Sequence, residues 1–196
     1  TNRGKLSDYN MLILPWSIPC PVCYDDQVIE QTIIEQMTKQ RQELHPNAII
    51  AVGAVVYRWT KRGRCEMLLI KKQIGYWTFP KGRVHIAEAR QDAVLREVLE
   101  ETGVSGQVEG EVLQVSYITP RRRRPRRKIV TYYLVQVESD VVAAPGGSPN
   151  EIIEQIRWAT PRAALRRVKR QRIRRVIKVA AALLRLRDQN NPVEQS

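Results

Sequence analysis

Residues 82–104 read GRVHIAEARQDAVLREVLEETGV. From about Glu88 the pattern is helical. It runs to Thr102 and stops at Gly103, because glycine takes up at no steric cost the left-handed backbone that ends many helices. At roughly 100° of rotation per residue, Val94, Leu95, Val98 and Leu99 fall on one arc that faces a core. Glu97, Glu100 and Glu101 stand at i, i+3 and i+4 and share the opposite face, with small Ala89 and Ala93 beside them. Like charges so placed oppose the helix: two carboxylates about 4 Å apart repel by about 4 kcal/mol at an effective dielectric near 20. A cation that joins them removes the penalty, and their oxygens are hard ligands suited to Mg²⁺ or Mn²⁺. A solvated acidic face is the alternative for three glutamates taken alone.

Outward from this helix the chain alternates in character. Residues 48–59 (AIIAVGAVVYRW) and 65–72 (CEMLLIKK) are β-rich, joined by a hairpin at Lys61-Arg62-Gly63-Arg64. A loop spans residues 73–86. Strands return at about 107–118 and 129–138, and between them Pro120-Arg121-Arg122-Arg123-Arg124-Pro125-Arg126-Arg127-Lys128 forms a hairpin tip. Residues 143–150 (AAPGGSPN) are a connection, 154–159 a short strand, and Pro161 opens a final helix that continues to about Arg187. In it Leu165, Val168, Ile173, Val176, Ile177, Ala180, Leu183 and Leu184 recur at steps that dock one stripe on a sheet. Strands on both sides of a central helix, closed by a second, predict an α+β fold: an α/β/α sandwich with a mixed sheet between helices. Residues 47–187 form this domain. Residues 1–46 are an N-terminal extension, with a candidate helix at 27–43 (Ile29, Ile33, Met37), and residues 188–196 a tail.

Composition narrows the class. The chain has 196 residues, 43% of them hydrophobic and 27% charged, a globular balance with room for one core. No apolar run reaches membrane-spanning length. A net charge of +13 attracts polyanions, so phosphate chemistry and nucleic acid both fit. Three cysteines do not make a disulfide framework, and a cytoplasmic location is expected. Cys20 and Cys23 form half a zinc site, but only Cys65, His45 and His85 remain for the other half, at spacings that match no common knuckle.

Residues 82–104 match G-x5-E-x7-R-E-U-x-E-E-x-G-U, with U aliphatic, at Gly82, Glu88, Arg96, Glu97, Val98, Glu100, Glu101, Gly103 and Val104. This is the Nudix box, and the chain resembles the Nudix hydrolase superfamily. The Trp77-Thr78-Phe79-Pro80-Lys81-Gly82 lead-in and Trp158-Ala159-Thr160-Pro161 before the last helix extend the resemblance over roughly residues 47–187. The resemblance implies that the Gly82 carbonyl and the Glu97, Glu100 and Glu101 carboxylates hold the metal ions. It implies also that Glu88 and Arg96 pair to brace the loop against the helix, and that Glu97 orients or deprotonates the attacking water. Family members often add a carboxylate from outside the box, for which Glu154 is the candidate here, with Glu151 beside it. The Phe-Pro-Lys-Gly lead-in resembles members that cleave dinucleoside polyphosphates or diphosphoinositol polyphosphates, and Lys81 would then be a phosphate ligand. Ile86-Ala87-Glu88 departs from the Pro-Gly-Glu common in that subgroup.

Diphosphate hydrolysis needs positioning and positive charge at the phosphoryl oxygens, which metals on the box helix provide. Seven of the eight residues 121–128 are basic, so Arg121, Arg122, Arg123, Arg124, Arg126 and Arg127 are candidate phosphate contacts. Trp77, with Tyr76, is a candidate stacking surface. The expected activity is metal-dependent cleavage of a diphosphate linkage in a nucleoside polyphosphate, a dinucleoside polyphosphate or a related derivative, with no membrane partner, by a monomer or homodimer. Two alternatives stand: removal of pyrophosphate from RNA 5′ ends, and an RNA-binding or regulatory module on the same scaffold.

Overall fold

The computed structural model describes residues 48–119, 125–148 and 151–190, which belong to the compact unit His45–Ser196. The candidate helix at 27–43, Cys20, Cys23, His45 and Arg121, Arg122, Arg123 and Arg124 lie outside the described residues. The strands are β1 (Ile49–Trp59), β2 (Cys65–Lys72), β3 (Trp77–Thr78), β4 (Lys81–Arg83), β5 (Gln107–Thr119), β6 (Arg126–Gln136), β7 (Gly147–Ser148) and β8 (Glu151–Ala159). The helices are α1 (Arg90–Thr102), α2 (Pro161–Arg167) and α3 (Gln171–Asn190).

The strands order as β5-β6-β1-β2-β8-β7, with β3 on β2 and β4 on β1. The β1–β6 pair is parallel and its neighbours are antiparallel, so the sheet is mixed as expected. Alternation along β1 explains why it reads as one apolar run: both of its faces are covered. Ala51, Val55 and Tyr57 join Met67, Leu69, Val130, Tyr132 and Leu134 under Ile173, Val176, Ile177, Ala180 and Leu184 of α3. Val52, Ala54 and Val56 join Leu68, Tyr133 and Val135 under Ala93, Val94 and Val98 of α1. The result is the α/β/α sandwich. Gly53 interrupts the apolar run because a Cβ there would lie 2.4 Å from the Tyr132 ring. No helix among the described residues is long and apolar enough to cross a membrane.

Three expectations are corrected. The span 73–86 is not all loop, since it contributes β3 and β4, and β4 pairs Gly82 with Val52 and so ties the box to the sheet. The final helix is not continuous: α2 ends at Arg167 and Val168 is extended (φ −80°, ψ 115°). Val168 is fully buried, and the break turns it into the core beneath the joint, where Arg174 donates to the carbonyls of Leu165 and Val168. In the box helix, Leu99 is half exposed at 52%, whereas Glu101 is buried at 3%. At roughly 100° per residue, the buried arc through Ala93, Val94, Val98 and Thr102 is centred near Glu101, so the three glutamates do not share an outward face.

Candidate active site

The site lies at the end of the sheet where β1 begins and β2 ends. The preceding turn has Ala87 at φ +60°, the left-handed conformation that glycine favours, so a residue with a side chain holds a backbone position more often taken by glycine. Glu88 therefore stays outside the helix, which starts at Arg90 rather than at 88. Its carboxylate accepts the His85 backbone N–H at 2.8 Å and two bonds from Arg96, at 2.7 and 3.0 Å. The Glu88–Arg96 brace expected from the sequence is present. Arg96's hydrogen bonds hold the Glu88 carboxyl down at about 2. Arg96 also donates to the Arg83 carbonyl at 2.9 Å, which fastens the loop to the helix.

Glu97 lies against Gly82. A Cβ built on Gly82 would sit 1.8 Å from the Glu97 carboxyl, so only glycine lets the carboxylate rest on that backbone. The second carboxylate is gathered by Arg96: one of its terminal nitrogens lies 2.9 Å from Glu97 and 3.4 Å from both oxygens of Glu100. A cradle of a glycine backbone and two carboxylates with a cation between them fits a hard divalent ion, whose ligands are oxygens. Among the described residues, no three His, Cys, Asp or Glu side chains converge on one point. The reason is the third glutamate.

Glu101 turns inward to a residue that sequence reasoning did not single out. Its two oxygens accept from Lys72 Nζ at 3.0 Å and from the backbone N–H of Lys81 at 2.9 Å. The Lys72 and Glu101 side chains are 4% and 5% exposed. Burial pushes the Glu101 carboxyl upward, and the positive charges of Lys72 and Lys81 pull it back. A buried carboxylate needs such a partner. A signal for Lys72 was present in the sequence: Leu68, Ile70 and Lys72 alternate along β2, and the first two are buried apolar residues.

The remaining candidates fall in different places. Lys81 is itself buried beside Glu101. Glu154 pairs with Lys71 at 3.0 Å and is an exposed residue of β8. Trp77 packs on the core below α2 and α3, with the Arg167 guanidinium 5.6 Å over its ring, so one face of the ring is already covered. Arg126 and Arg127 are exposed at the start of β6. Cys65 is a half-buried free thiol, pushed up to about 11 by burial.

Residues 48–179 match the family model described as the NUDIX domain. The match covers more than half of the chain, and the chain belongs to the Nudix family. Nudix hydrolase 21, chloroplastic, of Arabidopsis thaliana is 43% identical over 75 residues, 36% of this chain and 37% of that protein. The chain spans about a third of the length of the curated relatives it matches, between 30% and 37%. Among solved structures, the Ap4A hydrolase of C. elegans as a binary complex superposes at a TM-score of 0.57 with 22% identity, over 69% of this chain and 97% of that one. The NUDIX domain of Shewanella oneidensis NrtR complexed with ADP ribose gives 0.58 with 18% identity, over 70% and 88%. These likenesses show the fold.

Proposed function

We propose that the chain is a hydrolase that cleaves a diphosphate linkage in a nucleoside polyphosphate, a dinucleoside polyphosphate or a related nucleoside diphosphate derivative, with Mg²⁺, or Mn²⁺ in its place, by attack of water on phosphorus. The observation that carries this reading is the Glu97 carboxylate resting on Gly82 with Glu100 drawn beside it by Arg96. The Gly82 carbonyl, Glu97 and Glu100 would hold the metal, and Glu101 adds a further carboxylate whose charge Lys72 already answers. The bound metal supplies positive charge at the phosphoryl oxygens and makes a hydroxide available near neutral pH.

The chain's own residues set the geometry. Arg96 bonds Glu88 at 2.7 and 3.0 Å and Glu97 at 2.9 Å but Glu100 only at 3.4 Å, so Glu100 is the carboxylate it holds most loosely and the one that would turn most easily to a bound cation. Glu97, fixed between Gly82 and Arg96, is placed to orient the attacking water or to take its proton. Lys81, next to Gly82 in sequence, brings positive charge to the same strand.

The test is phosphate release with Mg²⁺ across nucleoside triphosphates, dinucleoside polyphosphates, nucleotide sugars, diphosphoinositols and triphosphorylated RNA, with Glu100→Gln alongside. Turnover of one class that is lost in the variant is the expected result. Equal activity in the variant removes Glu100 from the mechanism. A second reading, RNA as substrate or ligand, is favoured by the exposed Arg162, Arg166, Lys169, Arg175 and Lys178 on α2, α3 and their joint. For that reading, log K should fall against log salt with a slope of about −5 if roughly seven phosphates of a single strand are neutralised.

A further inference from the structure

At the same end of the sheet, on the side covered by α3, two arginines from the break in the C-terminal helices meet two tyrosines. The Arg170 guanidinium lies 3.5 Å from the centroid of Tyr76, in the turn after β2. The Arg172 guanidinium lies 4.0 Å from the centroid of Tyr117, near the end of β5. All four residues are half-buried. Among the described residues neither arginine is paired with a carboxylate, and Arg172, Arg170 and Lys72 all bring positive charge to Tyr117. Lys72 is the residue bonded to Glu101, so this cationic cluster adjoins the box.

We infer that Arg170 and Arg172 form a second anion subsite, which takes a phosphate group of the substrate remote from the diphosphate that is cleaved. Resting on the hydrolase reading above, this assigns the substrate class: molecules whose far end carries phosphate, in preference to those ending in a neutral nucleoside or sugar. Stacking fixes each guanidinium by its face and leaves its N–H edge for forked bonds to phosphate. It also covers one face of each tyrosine ring, a surface that a base would otherwise use. Like charges held together and partly desolvated, without a carboxylate, are stabilised by an arriving anion. The joint is a firm platform, because Arg174 fastens Leu165 and Val168 across it and the N–H groups of Ile173 and Arg174 bond the Arg170 carbonyl at 3.0 and 3.1 Å.

The test is calorimetric binding of inorganic tripolyphosphate to the full chain in EDTA, which keeps divalent metal out of the measurement. The Arg170→Gln/Arg172→Gln variant should bind roughly 10- to 100-fold more weakly than wild type, the loss of charge-assisted hydrogen bonds. Lys61→Gln/Arg62→Gln removes the same charge from exposed positions in the turn between β1 and β2, at the other end of the sheet, and should stay within about twofold of wild type. Equal weakening in the two variants would overturn the subsite in favour of a diffuse positive field. Adenosine binding as tightly as tripolyphosphate would overturn it in favour of base stacking on the tyrosines. Binding is read without turnover, so a chain that binds tripolyphosphate through these arginines but is inactive across the substrate panel would refute the hydrolase reading and leave the anion site standing.

Discussion

Gly82 is the residue whose replacement separates site from fold most cleanly. Its new methyl group would meet the end of a flexible side chain, Glu97, at 1.8 Å rather than backbone. Glu97 can swing aside, so Gly82→Ala should keep its thermal midpoint within a few degrees while turnover falls by about 100-fold, the penalty of a misplaced catalytic group. A midpoint drop of tens of degrees would mean that Gly82 serves the fold instead. Lys72 makes the opposite case. Lys72→Met removes the cation bonded to buried Glu101, leaving the charge of Lys81 to answer it, and should destabilise the protein by about 3 kcal/mol in denaturant titration, with most of the loss restored by adding Glu101→Leu. No recovery in the double variant would show that the pair is not the cause. Glu88 carries the acid limb. Its folded value, about 2, lies below the ordinary 4.5, so it stabilises the fold above pH about 4.5 and that stability is lost as pH falls through about 2. Glu88→Gln should flatten the fall in unfolding free energy across this window, and an unchanged slope would place the titration elsewhere.

At the scale of elements, the box helix and its glycine stop were legible because their signals are local: Gly103 has φ +66° and donates its N–H to Leu99. Which way the helix faced was not. Apolar Leu99 and charged Glu101 were assigned to the wrong sides, because a buried ion pair with a lysine 29 residues away outweighs the hydrophobicity of either side chain. The two-residue strands β3 and β4 were missed for a related reason, since they exist only by pairing with β2 and β1 and are too short to show a period. The break after Arg167 was hidden because α2 and α3 carry apolar residues in one continuous rhythm, whereas Val168 is drawn into the core out of helical geometry. Arg174 caps that break. Arg174→Ala strips the Leu165 and Val168 carbonyls of a charged donor and should lower stability by roughly 1–3 kcal/mol. It should also weaken tripolyphosphate binding, since Arg170 and Arg172 stand on the same joint; unchanged stability and binding would show that the joint needs no cap.

For the whole molecule, the sandwich was foreseeable because the sequence lays out strands on both sides of a central helix and closes them with a second helical segment. The grouping of Glu97, Glu100, Arg96, Glu88 and Gly82 was foreseeable too, from a fixed spacing over 23 residues. What spacing could not reveal was the other side of the sheet end, where Tyr76, Tyr117, Arg170 and Arg172 come together from three distant segments. The hydrolase reading makes Glu97 and Glu100 on Gly82 a metal-dependent hydrolytic site. The measurement that bears on it most directly is the initial rate of phosphate release from the preferred substrate as Mg²⁺ is titrated, in wild type and in Glu97→Gln. A rate that rises to saturation with Mg²⁺ and falls at least about 1,000-fold in the variant, with its thermal midpoint kept, is the predicted result. A rate indifferent to Mg²⁺, or a variant within a few-fold of wild type, would contradict it.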